Sequence, residues 1–271
     1  MQRLVRGGIY SAFEMRVLGF VKQPRLMKLL EAIPRKHMDR QISDPELRRK
    51  VEPGYTLGCK RILPSNKWYP ALGRDNVELV TDGVREVREH SIVTGTGEEI
   101  AVDAIIFGTG FNVTDMPVAR YVRGRGGRTL DEHWQGSPKA HLGATVPGFP
   151  NLFMLLGPNT GLGHSSMVYM IESQVAHVIG ALKEMRRRGA ETLEVRPETV
   201  RDFNDHLDEQ MQDTVWSTGC KSWYLDDTGR NATLWPDWTF LFRRRAARFD
   251  AAEYELGAGR PGRAGPVSVP A

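Results

Sequence analysis

One stretch restricts the fold of this chain more than any other. Asn151-Leu152-Phe153-Met154-Leu155-Leu156 is a continuous apolar run of strand length, and it enters the turn Gly157-Pro158-Asn159-Thr160-Gly161-Leu162-Gly163-His164. A long helix follows, in which Met167, Ile171, Val175, Val178, Leu182 and Met185 recur at helical spacing and predict one apolar face. Arg186, Arg187 and Arg188 fall in its last turn and Gly189 just beyond, as the helix dipole and C-cap chemistry favour. Strand, glycine turn and helix in this order belong to an α/β fold. A run that is apolar throughout, without alternation, is the pattern of a strand buried on both faces. The start of the helix offers unpaired N–H groups and the positive end of its dipole, and the glycines let a planar or anionic ligand approach. A tight turn with no ligand fits the same spacing, and spacing alone does not separate the two readings.

A second apolar run of this kind, Asp103-Ala104-Ile105-Ile106-Phe107, ends in Gly108-Thr109-Gly110 and predicts another buried strand. Before it lie short β runs: Val77 to Val80, Val84 to Val87, and a hairpin of Ser91 to Thr94 and Glu98 to Val102 around Gly95-Thr96-Gly97. Residues 1–51 read as basic packing and surface helices, with Ile9, Phe13, Val17 and Phe20 at helical spacing. Asp44-Pro45-Glu46 reads as an N-cap, a first-position proline and a first-turn acid. Pro197 and Glu198 open a helix with Val200, Phe203, Leu207 and Met211 on one side, and residues 239–249 are basic and helical. The Gly- and Pro-rich residues 257–271 predict a disordered tail.

Composition and motifs remove several function classes. Lys plus Arg is 37 against 33 for Asp plus Glu, and that small excess does not by itself make a nucleic-acid binder, whose basic residues should cluster on one face or stripe. Trp216, Trp223, Trp235 and Trp238 have no basic groove pattern beside them, and aromatic core is the better reading for most of them. No apolar run is long enough for a membrane-spanning helix, and Glu14 and Arg16 interrupt the N-terminal stretch where a signal peptide would be apolar. Two cysteines, Cys59 and Cys220, cannot staple a domain of this size, which points to a reducing, cytoplasmic setting. There is no HExxH, CxxC, GxSxG or P-loop, and no metal site is expected. Gly257-Ala258-Gly259-Arg260-Pro261-Gly262 matches GxGxxG, but it follows no strand, opens no helix and contains a proline, so it is not a dinucleotide fingerprint. In Gly58-Cys59-Lys60-Arg61, Lys60 suits a phosphate as a point charge and Arg61 suits an oxyanion through its fork; Cys59 reads as a small packing residue.

In their order, these segments resemble the C-terminal half of flavin-binding monooxygenases, especially those of Baeyer–Villiger type related to hydroxyacetophenone and cyclohexanone monooxygenases. The resemblance is carried by Pro53 to Arg61, Trp68 to Leu72, Asn76 to Val80, Asp103 to Phe111, Trp134, Pro138, Gly143, Gly148 to Phe153, Gly157 to Thr160 with Gly163-His164, and Ser222-Trp223-Tyr224. It covers roughly residues 45–256. It implies an α/β fold, the C-terminal portion of a flavoprotein with two Rossmann-like dinucleotide-binding domains. Residues 1–50 would be a helical segment of the NADP domain, 51–108 the rest of its C-terminal part, and 109–256 the C-terminal part of the FAD domain.

The resemblance also implies roles. FAD and NADP are the cofactors, and the activity is NADPH-dependent oxygenation of a ketone, or of a sulfur or nitrogen centre, by oxygen held as a C4a-peroxyflavin. Arg61 matches the active-site arginine, which would place fixed positive charge where negative charge develops. Lys60 matches a lysine expected at the 2′-phosphate of NADP, and Trp223 a tryptophan near bound NADP. Gly108, Thr109 and Gly110 match the linker back to the FAD domain, with Gly108 where the family has alanine. Gly157, Pro158, Asn159, Thr160, Gly163 and His164 match the segment that meets the flavin ring. Departures from the family are as informative. Its glycine motifs for FAD and for NADP, and the fingerprint between them, occur nowhere in these 271 residues. A partner in the form of the missing N-terminal half is therefore expected. Two other readings stand beside this one: a non-catalytic remnant or partner subunit, and a disulfide-reductase relative, which would need paired redox cysteines that Cys59 and Cys220 do not form in sequence.

Overall fold

The structure is a computed structural model, and it describes residues 2–110, 113–217 and 222–258. The chain divides into two compact units, one of residues 1–27, 58–61 and 112–271, the other of residues 28–57 and 62–111. In chain order the helices and strands are α1 (Gln2–Glu14), α2 (Arg25–Leu30), α3 (Ala32–Gln41), α4 (Pro45–Val51), α5 (Trp68–Leu72), β1 (Val84–Val87), β2 (Ser91–Thr94), β3 (Glu99–Ala101), α6 (Leu130–Trp134), α7 (Met167–Arg188), β4 (Thr192–Val195), α8 (Pro197–Met211), α9 (Thr239–Ala246) and β5 (Tyr254–Gly257).

The smaller unit holds α3 to α5 and a three-stranded antiparallel sheet in the order β1-β2-β3. The hairpin at Gly95-Thr96-Gly97 forms as expected, closed by Thr94 N–H to Glu98 O at 2.9 Å and Gly97 N–H to Thr94 O at 3.0 Å. The N-cap of α4 also forms: Asp44 Oδ1 accepts from Glu46 N at 2.9 Å, with Pro45 in the first turn where its missing N–H costs nothing. Two expectations fail. Val77 to Val80 forms no strand, and neither does Asp103 to Phe107. Ile106 and Phe107 are 95% and 77% exposed. A strand that is apolar on both faces needs a neighbour to satisfy its backbone and cover its side chains, and no described strand of this unit pairs with the segment.

The larger unit is mainly helical, and among its described residues apolar side chains gather in three clusters. One joins Leu142, Leu162 and Met170 to Leu207 of α8 and Phe242 and Ala246 of α9. A second gathers Leu130, Trp134, Val146 and Phe149 beside α6, whose start is a capping box of Thr129 and Glu132. The third packs Ala181 of α7 and Val200 of α8 against the antiparallel pair β4–β5, where Val195 faces Tyr254. Each fully buried Leu or Phe contributes about 1.5–3 kcal/mol. The long helix runs Met167–Arg188 and ends as expected, with Gly189 at φ 61° and its N–H on the Arg186 and Met185 carbonyls. Its buried face is not the expected one. Met170, Ser173, Gln174, His177 and Ala181 point inward, while Val175, Ile179 and Leu182 are exposed. Polar side chains on the inner face find partners there, so burial follows hydrogen bonding and not the apolar stripe. Asn151 to Leu156 likewise forms no strand, and Asn151 and Leu156 have φ of 61° and 56°. Gly257 belongs to β5 and not to a tail; residues 259–271 lie outside the described residues, as do Phe111 and Cys220.

Candidate functional site

The turn of residues 157–164 is held by backbone on both sides. Asn159 N–H donates to Ala232 O, Gly161 N–H to Thr233 O and Trp235 N–H to Gly161 O, each at 2.8 Å. The turn thus lies against residues 231–235 almost as a strand would. Two of its glycines are required by close approach of other backbone. A Cβ on Gly161 would meet Thr233 O at 2.7 Å, and one on Gly157 would run into the Gly143 carbonyl. Asn159 sits at φ 56°, a left-handed conformation that Asn tolerates better than most residues. Its amide donates to Asn231 O at 2.8 Å and Leu234 O at 3.0 Å. Thr160 Oγ1 donates to Gly157 O at 2.7 Å and ties the turn across its own base.

Two side chains with no signal in the sequence brace this turn. Arg230 donates to Asp208 Oδ1 at 2.7 Å, Pro138 O at 3.0 Å, Asn159 Oδ1 at 2.8 Å and Asn204 Oδ1 at 3.0 Å. Gln174, inside α7, donates to the carbonyls of Leu142 and Gly143 and accepts from Leu156 N. Neither residue belongs to a periodic pattern; only the tertiary structure brings out their roles.

Arg61 reaches the same turn from 101 residues earlier, its Nη1 donating to Leu162 O at 3.0 Å. The segment before it is packed into place. Gly58 is at φ 91° with the Phe20 ring where a Cβ would be, and Trp216 Nε1 donates to Gly58 O at 3.1 Å. Cys59 is fully buried and disulfide-bonded, so it is more than the packing residue its sequence context suggested. Lys60 is exposed. A cavity of about 240 Å³ is lined by Arg61, Gly157, Pro158, Gly161, Leu162 and Trp223, among others. Thr233 also lines it, and its buried hydroxyl has no hydrogen-bond partner. Burial raises the pKa of Tyr224, and the nearby positive charge of Arg61 works against that rise.

The structure therefore gathers four of the residues singled out in the sequence, Arg61, Gly157, Pro158 and Trp223, around one cavity. Asn159, Thr160 and His164 are buried and do not line it. Gly108, Thr109 and Gly110 are exposed and belong to the other unit. That unit has its own cavity of about 460 Å³, lined in part by Lys50 and Arg74, which holds none of the expected residues. Among the tryptophans, Trp216 and Trp235 are core, while Trp223 is 47% exposed at the cavity. Among the described residues no helix is long and apolar enough to cross a membrane.

Known structures share this architecture. A steroid monooxygenase bound to NADP matches with a TM-score of 0.76 and 28% identity, over 89% of this chain and 47% of its own. Cyclohexanone monooxygenase from Rhodococcus sp. Phi1 bound to NADP+ matches with a TM-score of 0.76 and 26% identity, over 88% and 46%. The fold is thus the mixed α/β fold of two-dinucleotide-domain flavin monooxygenases, matched over their C-terminal portion. In sequence, a Baeyer-Villiger monooxygenase of Pseudomonas aeruginosa is 53% identical over 94% of this chain and 49% of its own length. One of Streptomyces coelicolor is 47% identical over 97% and 51%. The chain belongs to the flavin-binding monooxygenase family, among its Baeyer–Villiger members. It spans about half the length of these relatives. No family model matches it.

Proposed function

We propose that this chain supplies the C-terminal half of the active site of an FAD- and NADPH-dependent monooxygenase that inserts oxygen next to a ketone carbonyl. The observation that carries the reading is Arg61 on the glycine turn, at the wall of an apolar cavity. The residues present suit a flavin. The turn lacks side chains at Gly157 and Gly161, α7 begins without a side-chain cap, and the Thr233 hydroxyl is buried without a partner. When bound, the flavin would supply the oxygen-activating chemistry. Gly157, Pro158 and the start of α7 would face it, and the dipole of α7 would favour negative charge there. Arg61 would hold its guanidinium where negative charge develops on oxygen, already oriented by the Leu162 carbonyl, so that little reorganisation is needed. Leu162, Met167 and Leu234 would keep water from the substrate, and Trp223 and Lys60 would serve NADP. On this reading residues 51–108 complete the NADP domain and 109–256 the FAD domain.

A second reading has a specific observation behind it. The apolar segment 103–107 and the outer face of α7 are uncovered, which suits a subunit that binds no flavin until a partner covers them. One experiment addresses both. The chain alone, and the chain fused behind the half of the Pseudomonas aeruginosa relative that it does not cover, are each titrated with FAD and assayed for NADPH-dependent ester formation from a cyclic ketone. The proposal predicts flavin absorbance and ester from the fusion. A colourless fusion would overturn it, and flavin bound by the chain alone would overturn the second reading.

A further inference from the structure

A buried carboxylate stands beside the turn and is absent from every motif considered above. Glu14, the last residue of α1, is 4% exposed. Its Oε2 accepts from Thr239 N at 3.0 Å and its Oε1 from Thr239 Oγ1 at 2.7 Å. Thr239 Oγ1 in turn accepts from Tyr10 Oη at 3.0 Å, which leaves the threonine's own proton for Glu14. The carboxylate therefore caps the first turn of α9 and is fixed in orientation. The same Oε1 lies 3.5 Å from Nε2 of His164, the residue that ends the glycine turn.

His164 is 4% exposed, and neither ring nitrogen has a well-formed hydrogen bond. Its neighbours are Phe20, with ring centroids 6.4 Å apart, and Glu14. Burial lowers its pKa; Glu14 acts against that and Arg16 with it. A neutral imidazole carries one proton, and which nitrogen bears it is set by the partner of that nitrogen. The Glu14 carboxylate beside this ring faces Nε2.

We infer that Glu14 is a positioning residue for the turn: it holds His164 with the proton on Nε2, leaving Nδ1 a bare acceptor, and so fixes the entry of the chain into α7. The inference rests on the proposed flavin site, because it makes the preorganisation of that turn depend on α1. It gives the N-terminal helix a role in the site that no motif in the helix announces.

Histidine side-chain nitrogen NMR tests this on the chain and on the fusion described above, without any turnover. In the parent protein His164 is expected in the Nε2–H form at neutral pH. Glu14→Gln keeps an acceptor for Thr239 but removes the charge, and is expected to release that preference. Glu14→Asp is expected to restore it in part, and Thr239→Ala, which weakens the cap and keeps the carboxylate, to leave it unchanged. FAD affinity of the fusion is expected to fall about tenfold in Glu14→Gln, the size of one hydrogen bond to a charged group. A His164 spectrum indifferent to Glu14→Gln, or equally disturbed by Thr239→Ala, would overturn the inference. A His164 that responds to Glu14 while the parent fusion binds no FAD would leave the pairing standing and overturn the flavin assignment instead.

Discussion

At the scale of single residues, Arg230 joins parts of the larger unit that are distant in sequence. Its side chain is 10% exposed and its guanidinium bonds to Asp208, Asn204, Asn159 and the Pro138 carbonyl. A lysine ammonium is a compact point charge and cannot span these four acceptors. Arg230→Lys is therefore expected to lower the stability of the chain by about 2–3 kcal/mol, since acceptors inside the fold lose a charged donor. Chemical denaturation reads that loss, and a midpoint equal to the parent's would show that the network carries no stability. Arg230 and Glu14 were both invisible in the sequence for one reason. Each is a charged residue in a locally ordinary setting, and its partners lie 22 to 92 residues away for Arg230 and 225 for the Glu14–Thr239 pair. Arg61 was legible because its neighbours Gly58, Cys59 and Lys60 travel with it as a motif.

At the scale of elements, β5 and α7 are joined by polar side chains in the core. Tyr254 Oη lies 2.7 Å from His177 Nε2, 3.1 Å from His141 Nδ1 and 3.2 Å from Thr145 Oγ1. Burial pushes His141 down to about 3, helped by the neighbouring His177 and Arg245, and pushes His177 down to about 4. Both histidines are thus neutral in the folded chain well below their ordinary value of 6.5. The unfolded chain takes up protons first as pH falls, so this stability is complete above about 6.5 and is lost progressively towards pH 3–4. Unfolding free energy measured against pH should fall through that window, and His177→Gln should flatten the slope. An unchanged slope in the variant would contradict the assignment. Helices with local signals were legible: the Asp44 cap, the Gly189 stop and the Pro197 start are all where the sequence puts them. The two continuous apolar runs were read as buried strands, and neither forms one. Periodicity reports what a segment suits, and a strand exists only where another strand pairs with it.

At the scale of the whole molecule, the fold class and family were legible from the order of motifs, and the extent of the match was legible from what was absent. The chain spans about half of its Baeyer-Villiger relatives, and its described residues contain antiparallel sheets only. Apolar side chains on α7 and on residues 103–107 are exposed. Everything proposed for the activity converges on one guanidinium, Arg61, held against the glycine turn at Leu162. The most direct test compares the fusion enzyme with its Arg61→Ala variant, measuring FAD content and the rate of ester formation from a cyclic ketone in the same preparations. FAD content is expected to stay near the parent level while ester formation falls by roughly 10²–10³-fold, the usual cost of removing a group that stabilises developing negative charge. Ester formation at the parent rate by a flavin-loaded Arg61→Ala enzyme would contradict the account.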